Sequence, residues 1–112
     1  MTKTNFRADE EALQDIVTRL VRAIDPDRIV LFGSRSRGES RPDSDFDLLI
    51  VKQSDEPPNR RVVAAYRALS GLGIPRDILW HTPEEIADWA AVPNYVTTRA
   101  IREGKLLYER PA

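Results

Sequence analysis

The 112-residue chain contains no cysteine and only one histidine. The missing thiols exclude disulfide bridges and thiolate metal sites, and their absence is typical of a reducing compartment. The longest apolar runs have four or five residues, far fewer than the ~20 that span a bilayer, and residues 1–10 lack the apolar core of a signal peptide. A formal net charge of −1 provides no overall basic field to attract nucleic acid. These absences favour a cytoplasmic protein without direct nucleic-acid or membrane binding.

The composition that remains suits one globular domain. Hydrophobic residues make up 41% and charged residues 31% of the chain, and the length allows one core but not two. The apolar pattern predicts the following order of elements: helix 9–24, strand 28–32, strand 45–51, helix 60–72, strand 74–81, helix 83–91, helix 93–104 and strand 105–109. We therefore predict an α/β fold, a small mixed β-sheet with helices packed mainly on one face.

The residues best suited to catalysis or ligand binding lie between Leu31 and Val51. Gly33-Ser34 ends an apolar strand and precedes a helical turn, so backbone N–H groups and a hydroxyl can hold a phosphate there. Asp45 and Asp47 begin the next strand on one face of the sheet, roughly 6–7 Å apart along the backbone. Two such carboxylates can bind a pair of divalent cations about 3.5–4 Å apart, as two-metal phosphoryl-transfer sites do. The stretch predicts a phosphoryl-transfer site.

Two arginines, Arg35 and Arg37, lie in the loop between the glycine and the acidic pair. They are either solvated loop charges or ligands of a triphosphate, which needs charge compensation beyond Mg²⁺. The chain has no P-loop lysine motif to provide that compensation, and we assign both arginines to nucleotide binding. His81 is interpreted as a polar residue at a strand end, and Arg60-Arg61 as surface residues at a helix start.

Gly33-Ser34, ten intervening residues and then Asp45-Phe46-Asp47 together resemble the signature of the DNA polymerase beta-like nucleotidyltransferase superfamily. The fuller pattern, Gly-Ser-Arg-Ser-Arg-Gly followed by Ser-Asp-Phe-Asp-Leu, is similar to its smallest branch, the minimal nucleotidyltransferases (MNT). Residues 102–109 also resemble the way those chains end, although position 36 is Ser where the family often has Ala. The resemblance covers nearly the whole length, and it implies a single minimal nucleotidyltransferase domain over residues 1–112.

The resemblance also implies roles for individual residues. Asp45 and Asp47 would bind two Mg²⁺ ions, while Gly33 and Ser34 would hold the β- and γ-phosphates of ATP. The family places a third acid on a neighbouring strand, and Asp77 is the only strand-borne candidate that follows. It would ligate the catalytic metal and take or steer the proton of the attacking hydroxyl. The alternative interpretation of this residue is an exposed acid on an edge strand.

The implied reaction is Mg²⁺-dependent transfer of AMP from ATP to a hydroxyl, with in-line attack on the α-phosphorus and release of pyrophosphate. Larger members of the superfamily add a second domain that shapes the acceptor pocket, for which 112 residues leave no room. A partner protein or a homodimer is therefore expected to complete the site. The resemblance points to an antitoxin that modifies a tyrosine of a HEPN-type toxin. Two alternatives remain open: a non-catalytic module that neutralises its partner sterically, and an adenylyltransferase for a small hydroxylated molecule.

Overall fold

A computed structural model of the chain describes residues 2–37, 45–90, 92 and 96–111. Its strands are β1 (Arg28–Phe32), β2 (Phe46–Val51), β3 (Arg76–His81) and β4 (Lys105–Glu109). Its helices are α1 (Thr2–Ile24), α2 (Pro58–Ala68), α3 (Pro83–Trp89) and α4 (Val96–Glu103), with a short 3₁₀ helix at Ser34–Arg37. The four strands form one sheet in the order β3-β2-β1-β4, in which β2 and β3 are parallel and the other pairs antiparallel. The predicted small mixed α/β sheet is confirmed.

The largest difference from the predicted element boundaries lies in α1. This helix begins at Thr2 rather than Asp9, because neither glycine nor proline interrupts the residues before Asp9. The predicted start of the last helix, at Pro93, lies outside the described residues. None of the described helices is long and apolar enough to cross a membrane.

The alternation of side chains along β2 gives the sheet two faces with separate cores. The larger core lies on the face covered by α1 and α2, here called the α1/α2 face, and its buried members are Ile16, Leu20, Ile29, Leu31, Phe46, Leu48, Ile50, Ala65, Leu69, Ile78 and Trp80. The smaller core lies on the opposite face, here called the α4 face, where Leu49 and Val51 of β2 pack with Val30 and Ala100. Most of the helical packing therefore falls on one side, as predicted.

Arg61 is buried, although its position at a helix start predicts a surface residue. Only 6% of it is exposed. Its guanidinium donates to both carboxylate oxygens of Glu85, at 2.7 and 3.2 Å, and to the backbone carbonyls of Glu56 and Trp80 at 3.1 and 3.2 Å. A buried cation needs a carboxylate partner, and the partner of Arg61 lies 24 residues away in the sequence. The surface prediction is wrong because the local sequence does not show this partner.

Candidate active site

Asp47 and Asp77 are neighbours across the parallel strands β2 and β3. Residues in register on adjacent strands project to the same face of a sheet, and alternation with Leu49 and Val51 places Asp47 on the α4 face. Adjacent strands lie about 4.8 Å apart, so carboxylates from these two positions can reach one cation. The strand alternation in the sequence predicts this shared face for both acids.

Gly33 lies directly against the carboxylate of Asp47. The preceding residue, Phe32, pairs with Asp47 across β1 and β2, and Gly33 then turns the chain with a φ of 76°, in the region that favours glycine. A Cβ atom added to Gly33 would overlap Oδ2 of Asp47 and lie 3.0 Å from its Cγ. The missing side chain therefore creates the space in which the carboxylate lies.

Ser36 stabilises the turn that follows Gly33. Its amide and its hydroxyl both donate to the Gly33 carbonyl, at 3.2 and 2.7 Å. These bonds close the 3₁₀ helix at Ser34–Arg37, which directly follows the glycine that lies against Asp47. A serine at this position, where the resembled family often has alanine, adds a side-chain bond to the turn.

Arg35, one of the two arginines predicted to bind nucleotide, has a described cation–π contact. The guanidinium carbon of Arg35 lies 4.1 Å from the centroid of the Phe46 ring, and Phe46 belongs to the α1/α2 face, whereas Asp47 projects to the α4 face. Ser34 and Arg37 lie in the 3₁₀ helix, which places their backbone next to Gly33. Nucleotide binding by these residues stays a prediction.

The acids offer the ligand chemistry that Mg²⁺ requires. Asp45 is exposed and directly precedes β2, and Asp47 and Asp77 follow on one face, so all three provide hard carboxylate oxygens. Among the described residues, no group of three or more histidine, aspartate or glutamate side chains is already assembled to hold a metal ion. Magnesium is commonly held by one or two carboxylates together with substrate phosphates and water. The register neighbours Asp47 and Asp77 fit that mode of binding.

Tyr66 of α2 contacts the free edge of β3 beside Asp77. Its hydroxyl oxygen accepts a hydrogen bond from the Ile78 N–H at 3.1 Å and lies 3.5 Å from Oδ1 of Asp77. The helical spacing of α2 predicts an inward-facing ring at this position, and the ring does pack against the larger core. The contact of its hydroxyl with the acid has no signal in the sequence.

A pocket with a volume of about 180 Å³ adjoins Gly33. Its lining residues are Phe32, Gly33, Ser36, Arg99, Ala100, Glu103 and Gly104. At its rim, Nε of Arg99 lies 3.2 Å from Oε2 of Glu103, and both side chains are largely exposed. Sequence reasoning missed Arg99 because only the packing of α4 against the sheet brings it close to the glycine turn.

His81 lies at the other end of β3 and contacts residues of α3. Its ring meets Trp89 edge-on at a centroid distance of 4.5 Å, and its Nδ1 lies 3.6 Å from Oε1 of Glu85, too far for a hydrogen bond. Burial lowers the pKa of His81, although the Glu85 carboxylate acts in the opposite direction. Four residues of strand, about 13 Å, separate it from Asp77, so its contacts are those of a packing residue.

Comparisons with known proteins identify the family and the fold of the chain. A family model described as "Polymerase beta, Nucleotidyltransferase" matches residues 14–112, while no curated protein matches the chain. A crystal structure of a toxin-antitoxin with AMP-PNP superposes with a TM-score of 0.63 at 21% identity, over 88% of this chain and 73% of that chain. A protein from Sulfolobus solfataricus assigned as a nucleotidyltransferase superposes with a TM-score of 0.66 at 21% identity, over 97% and 86% of the two chains. At such identities the structural likeness shows a common fold.

Proposed function

The chain belongs to the polymerase beta nucleotidyltransferase family, and we propose that it transfers AMP from ATP to a hydroxyl group with two Mg²⁺ ions. The observation that carries this proposal is the position of Gly33 and Asp77 on the two sides of Asp47. A tight turn that offers backbone N–H groups lies against one acid, and the second acid is its register neighbour. In-line displacement at phosphorus needs both an anchor for the phosphates and carboxylates that hold cations.

Each residue of this junction has a proposed task. Backbone N–H groups after Gly33 donate to the β- and γ-phosphates, and Asp45, Asp47 and Asp77 would hold the metal ions. When bound, the two ions neutralise charge on the phosphates and lower the barrier to attack. Asp77 accepts the proton of the attacking hydroxyl, whose oxygen bonds to the α-phosphorus while the bond to pyrophosphate breaks.

The pocket beside Gly33 supports the proposal because it offers room for part of the nucleotide. It opens on the α4 face, the face to which Asp47 projects. Arg99 at its rim provides a cation on that side of the sheet. We therefore add Arg99 to Arg35 and Arg37 as a candidate ligand of the triphosphate.

The proposed acceptor is a tyrosine hydroxyl of a HEPN-type toxin, with this chain as its cytoplasmic antitoxin. The MNT-like signature supports this assignment, and so does the shared fold with a toxin-antitoxin structure that contains AMP-PNP. In this proposal the partner, or a second copy of the chain, supplies the acceptor side of the site. Asp47 and Asp77 project from the α4 face of the sheet, and in this proposal the partner approaches that face.

Calorimetry with an ATP analogue whose α–β bridge cannot be cleaved tests the nucleotide site. Binding is expected to require Mg²⁺, and Asp47→Asn is expected to weaken it by about tenfold or more, since one charge and one hard oxygen ligand are lost. Asp15→Asn is the matched control, because Asp15 is exposed on α1. Equal affinity with and without Mg²⁺ would contradict the metal-dependent site.

Radiolabelled ATP then tests the reaction itself. Label in the α-phosphate is expected to reach the acceptor protein, while label in the γ-phosphate is expected to leave with pyrophosphate. Transfer of the γ-label instead would indicate a kinase and would overturn nucleotidyl transfer.

A further inference from the structure

Tyr66 has a contact that its packing alone does not require. Its ring lies against the larger core, and the Arg76 guanidinium lies 5.8 Å from the ring centroid. Its hydroxyl reaches the open side of β3, an edge strand, and accepts the Ile78 N–H at 3.1 Å. The position of the phenolic oxygen is therefore set by the core, by a cation and by a backbone donor.

The direction of the Tyr66 proton follows from these contacts. A phenol oxygen can accept hydrogen bonds but has a single proton to donate. Because the oxygen already accepts from Ile78, its own proton is available to an acceptor, and Oδ1 of Asp77 lies 3.5 Å away. That distance exceeds the ~2.5–3.0 Å that is typical of an O–H···O hydrogen bond. Contacts at catalytic groups are often long without ligand and shorten in the reacting complex.

We propose that Tyr66 is a positioning residue that orients the carboxylate of Asp77 for metal binding and proton acceptance. This inference rests on the proposed function of Asp77. An exposed aspartate samples several rotamers, and ordering it during catalysis costs free energy. A hydrogen bond to Oδ1 from the edge of the sheet would reduce that cost and would leave Oδ2 available to a metal ion. Hydrogen-bond partners outside the ligand sphere orient metal-binding carboxylates in the same way.

Tyr66→Phe separates this role from packing, since it keeps the ring and removes only the oxygen. Tyr108→Phe is the matched control, because Tyr108 on β4 also packs its ring against the larger core, at the opposite end of the strand order. For Tyr66→Phe we expect kcat to fall about tenfold, and half-maximal activation to need about tenfold more Mg²⁺. At saturating Mg²⁺ the KM for ATP is expected to match that of the unsubstituted chain. The melting temperature is expected to lie slightly below that of Tyr108→Phe, because the Ile78 N–H loses its acceptor.

A double-mutant cycle shows whether Tyr66 acts through Asp77. The affinity for Mn²⁺ in the presence of the uncleavable ATP analogue is measured by electron paramagnetic resonance for Tyr66→Phe, Asp77→Asn and the combined variant. Tyr66→Phe alone is expected to bind Mn²⁺ more weakly than the parent chain. The combined variant is expected to bind Mn²⁺ as Asp77→Asn alone does.

The outcomes separate this inference from the function on which it rests. An active parent chain with unchanged kcat and Mg²⁺ dependence in Tyr66→Phe overturns the role of Tyr66 and leaves the proposed function standing. The role of Tyr66 is also overturned if Tyr66→Phe lowers only the melting temperature. It is overturned as well if Tyr66→Phe weakens Mn²⁺ binding equally in the parent chain and in Asp77→Asn. A parent chain that neither binds Mn²⁺ with the analogue nor transfers the α-label overturns the proposed function, and the role of Tyr66 with it.

Discussion

At position 33, a φ of 76° and the adjacent Asp47 carboxylate together leave room for glycine alone. Gly33→Ala is expected to lower the free energy of unfolding by about 1–2 kcal/mol because of the left-handed backbone. Its Cβ would also displace the Asp47 carboxylate, so Mg²⁺-dependent binding of the ATP analogue should be lost. Denaturant unfolding and calorimetry measure the two effects.

Gly71 provides the control for Gly33, because its φ is 87° and a Cβ there would meet no atom within 4 Å. Gly71→Ala should show a similar loss of stability, also about 1–2 kcal/mol, and unchanged analogue binding. If Gly33→Ala bound the analogue as well as Gly71→Ala does, the contact between Gly33 and Asp47 would have no part in the site.

Residues that act within their own strand or turn are the ones that sequence reasoning can place. Alternation along β2 places Asp47 on one face with Leu49, and the glycine turn follows from its position at a strand end. Residues that act across elements cannot be predicted in this way. From the sequence, Tyr66 is only an inward-facing position of α2 and Arg99 is only a charge on α4. Packing brings Tyr66 to Asp77 and Arg99 to the pocket beside Gly33.

At the scale of elements, Glu85 caps the start of α3 and links it to α2. Its carboxylate accepts the Thr82 N–H at 2.9 Å, while the Thr82 hydroxyl accepts the Glu85 N–H at 3.2 Å. This capping box is predicted by the residues 82–85 and is confirmed. The ion pair of the same carboxylate with Arg61, at 2.7 Å, has no local signal.

The ion pair makes stability depend on pH. The hydrogen bond from Arg61 lowers the pKa of Glu85 from 4.5 to about 2, so the stabilisation is fully present above pH 4.5 and is lost as pH falls toward 2. Glu85→Gln keeps the capping box but removes the charge. It should lower the free energy of unfolding by about 1–2 kcal/mol at pH 7. The difference in stability between the parent chain and Glu85→Gln should shrink as the pH falls from 4.5 toward 2.

Urea unfolding of both proteins between pH 7 and pH 3 measures that difference. Glu84→Gln is the control, since Glu84 is exposed in the same helical turn and should show little change at any pH. A stability difference between the parent and Glu85→Gln that stays constant over this range would rule out the ion pair as its cause.

For the whole molecule, the order of the strands is what completes the candidate site. Strand positions can be predicted from local patterns, but the pairing of β2 with β3 joins residues about thirty positions apart, and such contacts leave no local trace. The role of Asp77 is therefore predicted from the resemblance to a family. The register of Asp47 with Asp77 gives a physical reason why the two acids can act together. The Arg61 and Glu85 pair fixes α2 relative to α3 by the same kind of distant contact.

Replacing both acids of β2 and its approach distinguishes an enzyme from a steric inhibitor. Asp45→Asn/Asp47→Asn should still fold and bind its partner, because Asp45 is exposed and the sheet positions are kept. If neutralisation occurs by modification, this variant should fail to rescue growth of cells that express the toxin. With the parent chain, mass spectrometry should find whole AMP units on a tyrosine of the toxin. Asp15→Asn/Asp55→Asn removes the same charge from exposed positions and should rescue fully. Full rescue by Asp45→Asn/Asp47→Asn with an unmodified toxin would instead establish steric neutralisation, since two isosteric changes at the acids leave a binding surface elsewhere intact.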